Sequence, residues 1–171
     1  YSSLRQQFAL GKAQEGYMLA DQSGEEGSDT RIGIERLEFG DIGLALDLDG
    51  NAGLVAKLLG AVFGASAIDK ADYVNAGLTL LDTGTTPDAL ATLALNVAGA
   101  QSNDGLVTLL WQNLFGNAPT QSEKLPYVQM LDQGEITQAG LTQAAANTAI
   151  NQTNIDLVGL TQHGIEFVLA T

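Results

Sequence analysis

The sequence predicts an α+β protein, mostly α-helical, in which a small β region over residues 1–49 precedes an all-helical repeat domain of about seven helices over residues 50–171. Three observations predict it. Apolar residues alternate with a period of two up to residue 48, the pattern of half-buried strands. Beyond residue 50 the apolar residues fall into broad helical stripes. The helical part also repeats itself with a period near fifty residues, as stacked supersecondary units do.

In the β region, Ile32, Ile34, Leu37, Phe39, Ile42, Leu44, Leu46 and Leu48 alternate with polar or small residues, and Gly40-Asp41 falls where a turn belongs. Residues 8–10 and 17–19 read as earlier strands around a turn at Gln14-Glu15-Gly16. Residues 21–30 are rich in Gly, Ser and acid and read as a loop.

The first helix of the repeat carries Leu54, Val55, Leu58, Leu59, Val62 and Phe63, and stops at Gly64. Leu106, Val107, Leu110, Trp111, Leu114, Phe115 and Gly116 repeat it fifty-two positions on, with six of twelve aligned positions identical over residues 53–64 and 105–116. A second helix in each unit carries Tyr73-Val74 or Tyr127-Val128 and should end at Gly84 or Gly134, because glycine enters the left-handed conformation freely. Leu81-Asp82 and Leu131-Asp132 precede those glycines. Thr86-Pro87-Asp88 reads as N-cap, rigid first position and dipole-favouring acid of a third helix, whose equivalent starts near Thr137. The Ala-rich runs 89–100 and 139–149 suit close helix packing. A partial third copy begins at Leu157-Val158 and fades through Leu160 and Ile165.

Twenty acids face seven bases, for a formal net charge of -13. Phosphate contacts need clustered Lys and Arg, so nucleic acid and anionic membrane surfaces are disfavoured partners. The acidic surface favours solubility and divalent cations. There is no cysteine, which removes disulfides and cysteine-based zinc sites. The longest apolar stretch, residues 52–68, is interrupted by Lys57 and glycines and too short to span a bilayer. The chain begins with Tyr1, which suggests a processed product or the ordered part of a longer protein.

The sharpest local motif is Asp47-Leu48-Asp49-Gly50-Asn51, at the join of strands and helices. Oxygen side chains at i, i+2 and i+4 resemble the opening of a calcium loop. Counted as an EF-hand the motif fails, since Ala52 and Leu58 stand where glycine and glutamate belong. Asp47, Asp49 and Asn51 are therefore candidate calcium ligands, while Asp49 or Asn51 serves equally as the cap of the helix starting near Gly53. Asn103-Asp104 and Asn154 with Asp156 recur at the same place, which favours capping. Gly24-Glu25-Glu26-Gly27-Ser28-Asp29 is a second possible calcium contact. His163 is the sole histidine, so a multi-histidine metal centre is impossible; it reads as a surface or helix-end residue. Trp111, Phe115, Tyr73 and Tyr127 occupy repeat or stripe positions and read as core in preference to a sugar-stacking platform. Phosphate-loop, nucleophile-elbow, zinc-protease and dinucleotide fingerprints do not occur, so the expectation is a protein without catalytic activity.

The run Ile34-Glu35-Arg36-Leu37-Glu38-Phe39-Gly40-Asp41, followed by Leu44-Ala45-Leu46-Asp47-Leu48-Asp49-Gly50-Asn51-Ala52-Gly53, resembles the segment that joins hemolysin-type (RTX) proteins to a helical domain of unknown function. Leu81-Asp82-Thr83-Gly84, Trp111-Gln112-Asn113-Leu114-Phe115-Gly116-Asn117-Ala118-Pro119 and Asn154-Ile155-Asp156-Leu157-Val158-Gly159-Leu160 resemble that helical domain, so the likeness covers nearly the whole chain. The resemblance implies a bacterial protein exported by a type I system, through an uncleaved tail like Glu166-Phe167-Val168-Leu169-Ala170-Thr171, and found in surface layers or at cell surfaces. Calcium usually orders the repeats of such proteins. The glycine-aspartate nonapeptide of the calcium β-roll does not occur in this chain, so that binding mode cannot be carried over.

These readings converge on an extracellular, non-catalytic structural module that associates with further protomers in a surface layer or filament, with calcium as the candidate bridging ion. The alternative is an adhesin that binds surface polysaccharide through exposed aromatics and acids.

Overall fold

A computed structural model of the chain describes residues 1–22 and 27–169. It is α+β, with N-terminal strands followed by helices and two small three-stranded sheets. A 3-10 turn, Arg5–Gln7, leads into an antiparallel meander of β1 (Phe8–Lys12), β2 (Tyr17–Asp21) and β3 (Ser28–Arg31). Gly16, at φ 77°, makes the first turn possible, and the Ala13 N–H meets its carbonyl at 3.1 Å. The stretch 21–30, expected to be loop throughout, thus supplies β3 from Ser28 onward. Ser-Asp-Thr-Arg holds no apolar residue, so hydrophobic alternation could not reveal it.

The second sheet has the order β4 (Arg36–Glu38), β5 (Gly43–Ala45), β6 (Ile165–Phe167), both pairings antiparallel. Its turn closes where Gly40-Asp41 predicts, with Phe39 N–H on the Ile42 carbonyl at 3.0 Å. The third strand comes from the far end of the chain, pairing Ala45 with Ile165 and Gly43 with Phe167. Only glycine fits at position 43, because the Phe167 ring stands where a β-carbon would project. Phe8, Tyr17, Leu19, Leu37, Phe39, Leu44 and Leu46 bury one apolar cluster between the sheets. Tyr1 stacks on Phe39 with centroids 5.7 Å apart, and the Tyr17 hydroxyl donates to the Thr161 carbonyl at 3.0 Å.

Eight α-helices follow: α1 (Asn51–Phe63), α2 (Ala71–Asp82), α3 (Pro87–Ala98), α4 (Asn103–Phe115), α5 (Gln121–Asp132), α6 (Gln138–Ala146), α7 (Ala149–Asn154) and α8 (Leu157–His163). The caps act as the sequence predicts. Thr86 and Thr137 accept the N3 amides of α3 and α6. Gly84 and Gly134, both at positive φ, close paired Schellman bonds: Thr85 N–H to Leu80 O and Glu135 N–H to Met130 O. The eight helices among the described residues agree with the expected count of about seven. The run 139–149 does not continue as one helix, because the Thr148 side chain caps a new start by accepting the Asn151 amide.

Helix α1 is the centre of the core, with nine of its thirteen residues buried. Asn151, 1% exposed, ties α7 to it by donating to the carbonyls of Lys57 and Ala146, each at 2.8 Å. Among the described residues no helix is long and apolar enough to cross a membrane.

Candidate functional site

The two repeats build the same open feature twice. In the first, a groove of about 250 Å³ has Val55, Leu58, Leu59 and Phe63 of α1 as its floor; Tyr73, Ala76, Gly77 and Leu80 of α2 form one wall, and Leu90, Leu93, Ala94 and Val97 of α3 the other. Every one of those residues is apolar or glycine save for the Tyr73 hydroxyl. Tyr73 is fixed edge-to-face on Phe63 at 5.5 Å, and the Lys70 ammonium sits 4.9 Å above its ring. On the rim, Leu93 is 46% and Val97 72% exposed.

The second groove, about 180 Å³, is lined by Val107, Leu110, Trp111, Leu114, Phe115, Tyr127, Leu141, Ala144, Ala145, Thr148 and Ile150, most of them equivalents of the first. Its rim is aromatic: Trp111 lies 4.5 Å from Phe115 and 6.5 Å from Tyr127, centroid to centroid. Phe115 is 46% and Tyr127 40% exposed, which corrects the reading of these rings as core. Both rings line the open groove instead of the closed interior. The equivalents of Leu93 and Val97 are Ala144 and Thr148, so the α3 ridge has no counterpart on α6. Helical spacing of Leu90, Leu93 and Val97 in an otherwise Ala-rich segment was the signal for that ridge, since it leaves apolar side chains on more than one face.

The Asp47 motif stands elsewhere. Asp47, Asp49 and Asn51 share the wall of a polar cleft of about 540 Å³ with Lys12, Tyr17 and Glu35, between the first hairpin and the start of α1. Arg36 Nη1 donates to Asp47 Oδ1, and the Ala52 amide reaches Asp47 Oδ2 at 3.3 Å. Asn51 Nδ2 donates to Asp82 Oδ1 at 2.7 Å, while Asp49 is exposed. Asn103 Nδ2 meets Asp132 Oδ1 at the same 2.7 Å, so this clasp is a repeat feature. The arrangement suits a clasp at the start of the helix, with both oxygens of Asp47 engaged. The N-cap position of α1 is Gly50, which has no side chain to cap with, and the Ala52 amide is met from outside the helix by Asp47 rather than by Asp49 or Asn51; in the later copies the N-caps are Ser102 and Asp156, each with a side-chain bond. Among the described residues no three His, Asp or Glu side chains converge as a metal requires.

Of the second acidic loop, Gly24, Glu25 and Glu26 lie outside the described residues. Asp29 pairs with Arg31 at 2.7 Å, and the hydrogen bond from Arg31 to the Tyr1 hydroxyl is the main reason that guanidinium is held more basic than usual. His163 ends α8, exposed, with Nδ1 3.3 Å from the Gly164 carbonyl.

Comparison of the chain with protein-family models, with curated proteins and with solved structures finds no match.

Proposed function

We propose that the chain is a non-catalytic structural module of a secreted bacterial surface protein, and that it works by packing protomer against protomer in a layer or filament outside the cell. The observation that carries this reading is the open, apolar groove of the first repeat, with Leu93 and Val97 exposed on its rim, on a chain whose formal net charge is -13. Apolar surface left open beside polar surroundings marks sites of association. The resemblance to helical domains of hemolysin-type proteins supports the extracellular setting. Calcium enters as a screen and bridge between acidic surfaces, at the millimolar levels of the extracellular medium, rather than as the ligand of a built cage. Sedimentation of the purified chain with millimolar calcium and with excess chelator tests the proposal. Larger species that depend on calcium are expected. A monomer in both conditions, at every protein concentration, would remove it.

A second reading, an adhesin for surface polysaccharide, is favoured by one feature: the Trp111, Phe115 and Tyr127 rings line an accessible groove, and such faces stack on sugars. Trp111 is the only tryptophan, so a glycan titration followed by its fluorescence reads this groove directly.

A further inference from the structure

We infer that the groove of the first repeat, with the Leu93–Val97 ridge beside it, is a two-fold self-association surface whose occupant is the same face of a second copy. This rests on the reading of the chain as an assembly module and names the surface at which two protomers meet.

Charge selects the occupant. The chain carries twenty acids and seven bases, yet the wall segments 73–81 and 89–103 contain none of either. The groove between them is built of apolar side chains. A basic partner finds no carboxylate there to pair with, and an acidic or basic side chain pressed into the groove would be desolvated without compensation. The chain itself owns a face that fits: a second copy brings the same apolar surface, with the Lys70 ammonium over the Tyr73 ring beside it, and leaves its acids outside the contact.

Shape makes the face self-complementary. Leu93 and Val97, four residues apart, form a ridge along α3 and stand directly on the groove's rim. Ala76 on the facing wall, with Ala94 on the near one, leaves room for side chains to enter. Ridge and groove lie side by side on one patch, so a two-fold axis places each ridge in the other protomer's groove. The second repeat is an internal contrast. Its groove has Ala144 and Thr148 where the ridge would be, and Thr148 is committed to capping α7 and to the Ala145 carbonyl at 2.7 Å. One groove per chain is therefore equipped for this contact.

The test is sedimentation velocity of the full chain over a micromolar concentration series, in chelator and at moderate salt to screen the net charge. The wild type, Val97→Glu, Leu93→Glu and Ala144→Glu are compared. Val97 and Leu93 are rim residues, and unchanged far-UV circular dichroism and thermal midpoint confirm that their variants are folded. The wild type and Ala144→Glu should dimerise alike, while Val97→Glu and Leu93→Glu raise the dissociation constant roughly a hundredfold, because each would bury an unpaired carboxylate. Association of Val97→Glu and Leu93→Glu at wild-type strength, or loss of association in Ala144→Glu as well, overturns the assignment of this face and leaves the assembly reading standing. A wild type that stays monomeric to concentrations on the order of 0.1 mM, with calcium or without, removes both.

Discussion

Asn151 shows how much one polar side chain can hold in place. Its carboxamide is buried and gives both N–H groups to carbonyls, that of Lys57 within α1 and that of Ala146 at the end of α6. Its Oδ1 comes so close to Gly60 that only the missing β-carbon of glycine leaves room. Asn151→Leu should therefore cost about 1–3 kcal/mol from the two lost buried hydrogen bonds alone, before any steric penalty, measured as a lower urea midpoint at unchanged slope. A change within error of zero would mean that water satisfies those groups. No pattern in Asn147-Thr148-Ala149-Ile150-Asn151-Gln152-Thr153-Asn154 singles this residue out, because polarity alone does not tell a buried Asn from an exposed one. The Asp47 motif shows the opposite limit. Its residues were conspicuous, and they share one cleft, but spacing could not say that Asp47 would spend its oxygens on Arg36 and the Ala52 amide.

At the level of elements, the helices whose ends carry local chemistry were readable, and α3 is the clearest: Thr86, Pro87 and Gly99 set both of its ends. Helix α5 was harder, since it buries only Leu131 and contains Pro126, so neither a stripe nor an unbroken run announces it. Its start is held by a capping box. The Thr120 amide and hydroxyl donate to Glu123 Oε2 at 2.7 and 2.6 Å, and the Glu123 amide returns to Thr120 Oγ1 at 3.4 Å. The side-chain hydrogen bond from Thr120, with its backbone amide, holds the Glu123 carboxyl below its ordinary value of 4.5. A depressed acid pKa stabilises the fold fully above the unfolded value and loses that stabilisation as pH falls through the folded one. Amide protection in the first turn of α5 should accordingly fall as the pH is taken below the ordinary glutamate value, ahead of that of α1. Glu123→Gln keeps an acceptor oxygen but no titrating group, and should flatten that dependence; an equally steep fall in the variant would assign it to other carboxylates.

For the molecule as a whole, the decisive contact joins the two ends of the chain. Alternation identified the strand pattern of residues 32–48, and the fifty-residue period identified the stacked helices, because both are local or self-similar signals. The pairing of β5 with β6 spans more than a hundred residues, and three residues after a helix leave no periodicity to detect. That strand nonetheless connects the cores. Ile165 and Phe167 are buried in the helical cluster that includes α1, while Leu44, which faces Glu166 in the ladder, belongs to the cluster between the sheets. The Tyr17 hydroxyl on the Thr161 carbonyl adds a second tie between β2 and α8. The two clusters should consequently unfold together. Trp111 fluorescence reports the second helical repeat, and near-ultraviolet circular dichroism draws on Tyr1 and Tyr17 in the sheet region as well as on the helical aromatics. Coincident urea transitions by the two probes are expected. Phe167→Ala should lower both midpoints in step, at a cost of about 3–5 kcal/mol, the usual range for emptying a buried phenylalanine site. A variant in which the tyrosine signal is lost well before the tryptophan signal would show that the sheets depend on β6 and the helices do not, and would place the cooperative boundary between the two clusters rather than around them.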